Sequence, residues 1–188
     1  MIFDIVALQV DRFPAFAAYM DDHLSDNGVG DTPLFQPLAR ADCHFEGDRA
    51  ELFKRALSQS TEGPGWRRAW VAVTGEGRVL GHADLRAHAM PYTGHRCLLG
   101  MGVDRHCRGA GLGWRLLDTA TRWAADQAWL DWIDLQVIAS NTPALKLYER
   151  AGFVRTGHTP DLFRFDQCSV DFDSMSMQLR GQGVLPQP

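Results

Sequence analysis

The chain has 188 residues, a formal net charge of −4 with its histidines neutral, 45% apolar and 22% charged side chains. That size and balance describe a soluble globular domain with enough core to fold alone, not a disordered or disulfide-stapled chain. No run of about 18 apolar residues provides a membrane span, and no basic stripe suggests nucleic acid. In chain order, Ile2 to Gln9 predicts a strand. Asp11 or Pro14 opens a helix to about Leu24, with Phe13, Phe16, Ala17 and Met20 inward. Residues 25–45, with Gly28, Gly30, Pro33 and Pro37, form a long loop, a length that is often functional. Asp48 to Ser60 predicts a second helix with Leu52, Phe53, Ala56 and Leu57 inward. Arg67 to Thr74 and Arg78 to His88 are strands joined by a hairpin turn at Gly75-Glu76-Gly77. His95 to Val103 is the next strand and Gly111 to Trp129 a long helix, with Leu112, Leu116, Ala120 and Trp123 or Ala124 inward. Strand 132–139, helix 142–151, strand 153–157 and a last strand from about Asp171 to Leu179 follow. The expected domain is 1–180, a mixed α/β sheet with helices on both faces, and 181–188 is expected to fray. With Asp4 and Asp11 early there is no signal-peptide layout. Cys43, Cys97, Cys107 and Cys168 form no C-x-x-C pair, so a reduced, cytoplasmic setting is expected.

The stretch Val103-Asp-Arg-His-Cys-Arg108-Gly109-Ala110-Gly111-Leu112-Gly113 lies between a strand and a helix. Its glycines allow a tight turn and a close ligand approach. The helix start offers unpaired N–H groups and a positive dipole end, and Arg108 adds a charge. A diphosphate suits such a loop. The dinucleotide fingerprint fails because residue 114 is Trp, and a Walker A loop fails because the chain has no Gly-Lys pair.

Downstream, Ser140-Asn141-Thr142-Pro143-Ala144 opens a helix that carries Leu147-Tyr148 and ends at Gly152-Phe153. Asn141 or Thr142 can cap it, with Pro143 in the first turn and Gly152 as a left-handed stop. In order and spacing, residues 98–157 resemble motifs A and B of the GNAT superfamily of N-acetyltransferases. Asp171 to Met177 is similar to the last strand of polyamine-, amino-acid- and phosphinothricin-type members. The resemblance implies a GNAT fold whose parallel strands four and five splay apart to admit the pantetheine arm of acetyl-CoA. It implies that Arg108, Gly109, Ala110, Gly111, Leu112 and Gly113 hold the diphosphate. Met101 and Val103 would offer main-chain groups to the pantetheine and thioester, Asn141 would hold the arm, and Ala144 would leave room for it. Tyr148 stands at the family's usual general-acid position, where a phenol suits a departing thiolate. GNAT enzymes transfer the acetyl group directly, so Cys107 is expected to be a small apolar filler rather than a nucleophile.

Relatives often carry a Glu on strand four as general base, but Cys97 to Val103 contains no carboxylate. Asp84, His82, His95, His106 or a water chain remain as alternatives. His82 and His88 would share a strand face, yet no third ligand suggests a metal, and none is expected. Residues 1–51 hold ten acidic and three basic side chains, the remainder thirteen and sixteen. That asymmetry fits an acceptor side that steers a cationic amine, or simply a solvated acidic helix face. Trp66, Trp70, Phe35 and Tyr92 could line an apolar acceptor surface or the core. The expected acceptor is a small-molecule amine (polyamine, aminoglycoside-like compound or amino acid) or a peptide N-terminus. The alternative is a non-catalytic acyl-CoA sensor. A homodimer is consistent with the family habit of pairing last strands.

Overall fold

The computed structural model describes residues 2–179; the expected frayed tail, 181–188, lies outside the described residues. The elements are β1 (Asp4–Ala7), α1 (Phe13–Ser25), α2 (Gly47–Leu57), β2 (Arg67–Val73), β3 (Val79–Ala87), β4 (Arg96–Val103), α3 (Leu112–Asp126), β5 (Trp132–Ile138), α4 (Thr142–Arg150), β6 (Val154–Phe165) and β7 (Cys168–Gln178). The strands form one sheet in the order β1-β2-β3-β4-β5-β7-β6. All neighbours are antiparallel except β4 and β5.

Two apolar layers cover the sheet. On one face, Leu112, Leu116, Leu117, Ala120 and Ala124 of α3 and Leu145 and Tyr148 of α4 pack on Ala83, Leu85, Cys97, Leu99, Ile133 and Leu135. On the other, Phe13, Phe16 and Tyr19 of α1 and Phe53 of α2 pack on Ala69, Val71 and Val79. The Phe16 and Phe53 rings lie 4.9 Å apart, joining the two helices through aromatic contact beyond their buried area.

Three expectations need correction. Leu52 is 54% exposed, and only Phe53 of α2 is fully buried. One residue of a helix is turned about 100° from the next, so a stripe centred on Phe53 leaves Leu52 outside. Helix α3 stops at Asp126, and Trp129 instead meets Trp66 edge-on at 5.5 Å. The largest difference is the C-terminal hairpin. β6 and β7 span 12 and 11 residues, where the sequence predicts a strand at 153–157 and another only from about Asp171. The two-residue turn is Asp166-Gln167, both with positive φ (48° and 63°). Such turns usually advertise themselves with Asn-Gly or Asp-Gly. A register shift between Thr159 and Phe163, with Asp161 at φ 51°, breaks the alternation as well.

The orientation of α2 has a direct check. Phe53→Ala is expected to cost about 3–5 kcal/mol and Leu52→Ala less than about 0.5 kcal/mol in urea unfolding. Equal losses would mean the helix is turned differently.

Candidate active site

The site begins where β4 and β5 part. They pair only at Arg96–Trp132, Cys97–Ile133 and Leu98–Asp134. Beyond that, β5 continues its ladder with β7, and the residues of β4 from Leu99 to Val103 pair only with β3. Main-chain groups facing the gap on both strands therefore await a partner, and an extended polar ligand can supply one.

At the end of β4 the chain makes a single 3₁₀ turn at Arg105–Cys107, held by Asp104, whose Oδ1 accepts from the His106 N–H at 2.8 Å. Gly109 and Gly111 follow at φ 77° and 80°. A Cβ at either would meet nothing within 4 Å, so the glycines serve backbone conformation and leave open space beside the loop. Among the described residues, no main-chain N–H from Arg108 to Gly113 donates a hydrogen bond of ordinary geometry to another protein group. These amides converge on the start of α3, an arrangement that suits an anion with several acceptor oxygens. Leu112 and Cys107 are buried beneath the loop, and Cys107 fills core space as expected.

Arg108 is engaged within the protein. Its Nη2 donates to Asp26 Oδ2 at 2.7 Å, its Nε to the Val103 carbonyl at 3.2 Å and its Nη1 to Thr32 Oγ1 at 3.4 Å. The guanidinium also lies 5.8 Å from the Phe35 ring centroid. Asp26 accepts from Thr32 Oγ1, and Arg105 bonds Asp22 at 2.9 Å. Asp21 accepts from the Phe45 N–H. Part of the acidic excess of the first quarter thus holds the 25–45 loop onto the glycine loop.

On the opposite wall, Asn141 caps α4, its Oδ1 accepting from the Ala144 N–H at 3.4 Å. This settles the cap between the two alternatives. Leu147 of α4 comes within 3.4 Å of where a Cβ on Gly113 would sit, so α4 packs directly against the start of α3. Tyr148 is buried with its ring 5.9 Å from Phe153. Burial raises its phenol pKa, so it stays protonated. Its hydroxyl makes no hydrogen bond among the described residues and is not one of the sealed polar atoms.

Residues His82, Asp84 and Arg86, two apart on β3, share the face covered by α1 and α2. Opposite them β4 carries Gly102 and Gly100. A Cβ on Gly102 would lie 2.4 Å from His23 Nε2 and 2.9 Å from His82 Cε1, and one on Gly100 would lie 2.5 Å from Asp84 Oδ2. His82 Nδ1 pairs with the Tyr19 hydroxyl at 3.2 Å. His23 stacks on Phe35 at 4.5 Å and on Tyr19 at 5.7 Å. Burial, then the facing His82, lowers the His23 pKa to about 3; burial, then Arg67, does the same to His82. Asp84, buried beside Arg67 and Arg86, is pushed up by that burial. Sequence reasoning raised His82 and Asp84 but missed Tyr19 and His23. Their i, i+4 spacing within the first helix was the available signal.

Other expected residues fall elsewhere. Trp66 and Trp70 pack on Trp123 in the core under α3, the second of the two placements the sequence allowed. Tyr92 is 99% exposed at the β3–β4 connection. With Trp66, His88, Met90, Arg96 and Trp129 it borders a cavity of about 520 Å³ at the far end of β4 from the glycine loop. His88 bonds Asp134 at 2.9 Å there, and Asp134 also takes Arg96. His106 gives its main-chain N–H to Asp104 in the loop. Of the four aromatics, Phe35 stacks on His23 on the α1 side of the sheet.

The sequence profile described as the acetyltransferase (GNAT) family matches residues 35–153. A mycothiol acetyltransferase from Salinispora tropica is 37% identical over 89 residues, 45% of this chain but only 28% of that protein. The chain therefore covers less than a third of this curated relative. Among solved structures, a GNAT-family acetyltransferase from Streptococcus pneumoniae superposes with a TM-score of 0.77 at 20% identity, over 94% of this chain and 99% of the other. The yncA structure from Salmonella typhimurium, which holds its cofactor acetyl-CoA, gives 0.76 at 16% identity, over 99% of both chains. These structural likenesses speak to the fold.

The two neutral histidines carry a pH signature. The unfolded chain protonates both below about pH 6.5, whereas the folded chain waits until about pH 3. Their contribution to stability is complete above pH 6.5 and is lost as pH falls towards 3. Asp84 has the opposite sign and is common to both proteins in the comparison that follows. The melting temperature of the wild type is expected to fall between pH 7 and 4.5 by more than that of the His23→Gln/His82→Gln double variant. Equal falls in calorimetry would refute the neutral state of the pair.

Proposed function

The chain belongs to the GNAT family of acetyltransferases, and from that premise we propose that it moves the acetyl group of acetyl-CoA directly to a primary amine. The acceptor in this reading is a small molecule or a peptide N-terminus. The observation that carries it is the run of unpaired amides from Arg108 to Gly113 at the mouth of the gap between β4 and β5. Acetyl-CoA supplies an activated acyl carbon on a thiolate leaving group.

The chain's own groups do the rest. Amides from Arg108 through Gly109, Ala110, Gly111, Leu112 and Gly113 bind the diphosphate, reinforced by the dipole of α3. Main-chain groups of Met101 and Val103 orient the pantetheine and thioester. Asn141 fixes the start of α4 while facing the arm, and Ala144 keeps the wall low. Tyr148, held protonated by burial, donates its proton to the departing sulfur. The Arg108 side chain, bonded to Asp26, positions the loop more than it neutralises phosphate.

The acceptor follows less directly. Asp22 and Asp26 are paired with Arg105 and Arg108, which weakens the case for an open acidic patch. A thiol-release assay with acetyl-CoA against polyamines, amino acids, aminoglycosides, short peptides and the acceptor of mycothiol acetyltransferase tests the class. Coenzyme A binding with silence across that panel would favour the sensor reading.

Two variants probe the site itself. Tyr148→Phe is expected to lower turnover about 10²-fold while leaving coenzyme A affinity unchanged by calorimetry. Unchanged turnover would remove Tyr148 from the chemistry. Gly111→Ala forces a side chain into left-handed backbone at a cost of about 1–2 kcal/mol, so coenzyme A should bind about tenfold more weakly.

A further inference from the structure

We propose that His23 is the proton acceptor for the attacking amine, taking at Nε2 the proton that the amine loses. This rests on the acetyl-transfer reading above. Three observations lead to it. First, β4 carries no carboxylate, and on its α1 face it carries no side chain at all at Gly100 and Gly102. Second, the space above Gly102 is filled from another element: His23 Nε2 stands 2.4 Å from the point a Cβ would occupy. The imidazole thus lies directly on the main chain of β4, in the stretch after β4 has lost β5 as a partner. Third, the two nitrogens of His23 differ. Nδ1 is sealed and unpartnered, whereas Nε2 is neither hydrogen-bonded nor sealed.

His82 is the competing ring, and its geometry disfavours it. Its Nδ1 is committed to the Tyr19 hydroxyl. Tyr19, kept protonated by burial, can donate there; the His82 proton then sits on Nε2 and that ring keeps no free lone pair. His23 carries no such commitment. Burial keeps it uncharged, so its lone pair is available for the proton that the nitrogen sheds once it is bonded to the acetyl carbon, where that proton is far more acidic than on a free ammonium. Phe35 and Tyr19 clamp its ring on both sides, which fixes the direction of Nε2.

The chemistry balances. A bond forms between the amine nitrogen and the acetyl carbon, and the carbon–sulfur bond breaks. The proton lost by nitrogen goes to His23 Nε2, and the proton gained by sulfur comes from Tyr148. Water then takes the proton from His23 and restores the one on Tyr148. Donor and acceptor belong to opposite faces of the sheet, Tyr148 to the α3/α4 layer and His23 to the α1/α2 layer. The amine and the departing thiol are thereby served separately.

The test has a readout on the free protein. Nitrogen NMR of histidine-labelled protein at pH 7 should show His23 neutral with its proton on Nδ1 and a bare Nε2. A proton on Nε2, or a charged ring, overturns the proposal. In turnover, His23→Gln should lose about 10²-fold or more, with coenzyme A affinity as in the wild type. His23→Gly should regain activity when imidazole is added, which a packing role would not produce. Unchanged turnover in His23→Gln overturns the proposal alone. So does a matching loss of coenzyme A affinity, or imidazole rescue confined to His82→Gly. A wild type that binds coenzyme A yet acetylates no amine would instead remove the acetyl-transfer reading.

Discussion

Everything in this molecule that bears on function depends on two neighbouring strands ceasing to pair. β4 and β5 share three residue pairs and then separate, each remaining bound to its other neighbour. Main-chain groups left without partners in a protein interior are costly unless water or a ligand reaches them. The fold tolerates the gap because each strand is secured elsewhere: β5 by a seven-residue register with β7, β4 by seven pairs with β3. The gap is therefore a fixed slot with hydrogen-bonding walls, and the free amides of the glycine loop stand at its mouth.

The loop after α1 is tied to that mouth. Asp26 reaches both Arg108 and Arg105, and Phe35 contacts Arg108 and His23. Asn27 stiffens the loop from within, its Oδ1 accepting from the N–H groups of both Phe35 and Gln36. A segment that looks irregular in sequence is thus held by side chain–backbone bonds and two ion pairs. Asp26 is nearly sealed, so its pairing with Arg108 is screened less than a surface bridge would be. The glycine loop and the loop after α1 consequently share one guanidinium, and a change in either is felt by the other.

Much of this was legible in the sequence, and the illegible parts have physical reasons. The glycine loop announces itself because left-handed backbone at 109 and 111 leaves glycine as the natural choice. Asn141, Pro143 and Gly152 punctuate α4 in the same explicit way. The long β6–β7 hairpin does not, since its turn is built from Asp166 and Gln167 and its outer strand is exposed on both sides, which erases the alternation. Leu52 misled because apolar periodicity alone cannot rank two adjacent residues on a helix. Trp66 and Trp70 stayed open between two placements because an aromatic on a strand reads the same whether it faces the core or a ligand; the fold puts them in the core. His23 was hidden for another reason. It comes from an element some eighty residues before β4 in the chain, and only the tertiary fold sets its ring over Gly102.

Glycine in a strand interior ordinarily weakens it by about 0.5–1 kcal/mol, and β4 carries two at alternate positions on one face. A conformational need does not explain them, as neither has positive φ. What explains them is occupancy: Asp84 and His23 already fill the volumes where their Cβ atoms would stand. The absence of a carboxylate from β4 and the presence of polar side chains from β3 and α1 above it are thus one feature. A side chain restored at 102 would have to displace His23, whose ring is held between Tyr19 and Phe35. The polar side chains over Gly100 and Gly102 consequently come from the neighbours of β4, while β4 itself contributes only its main chain there.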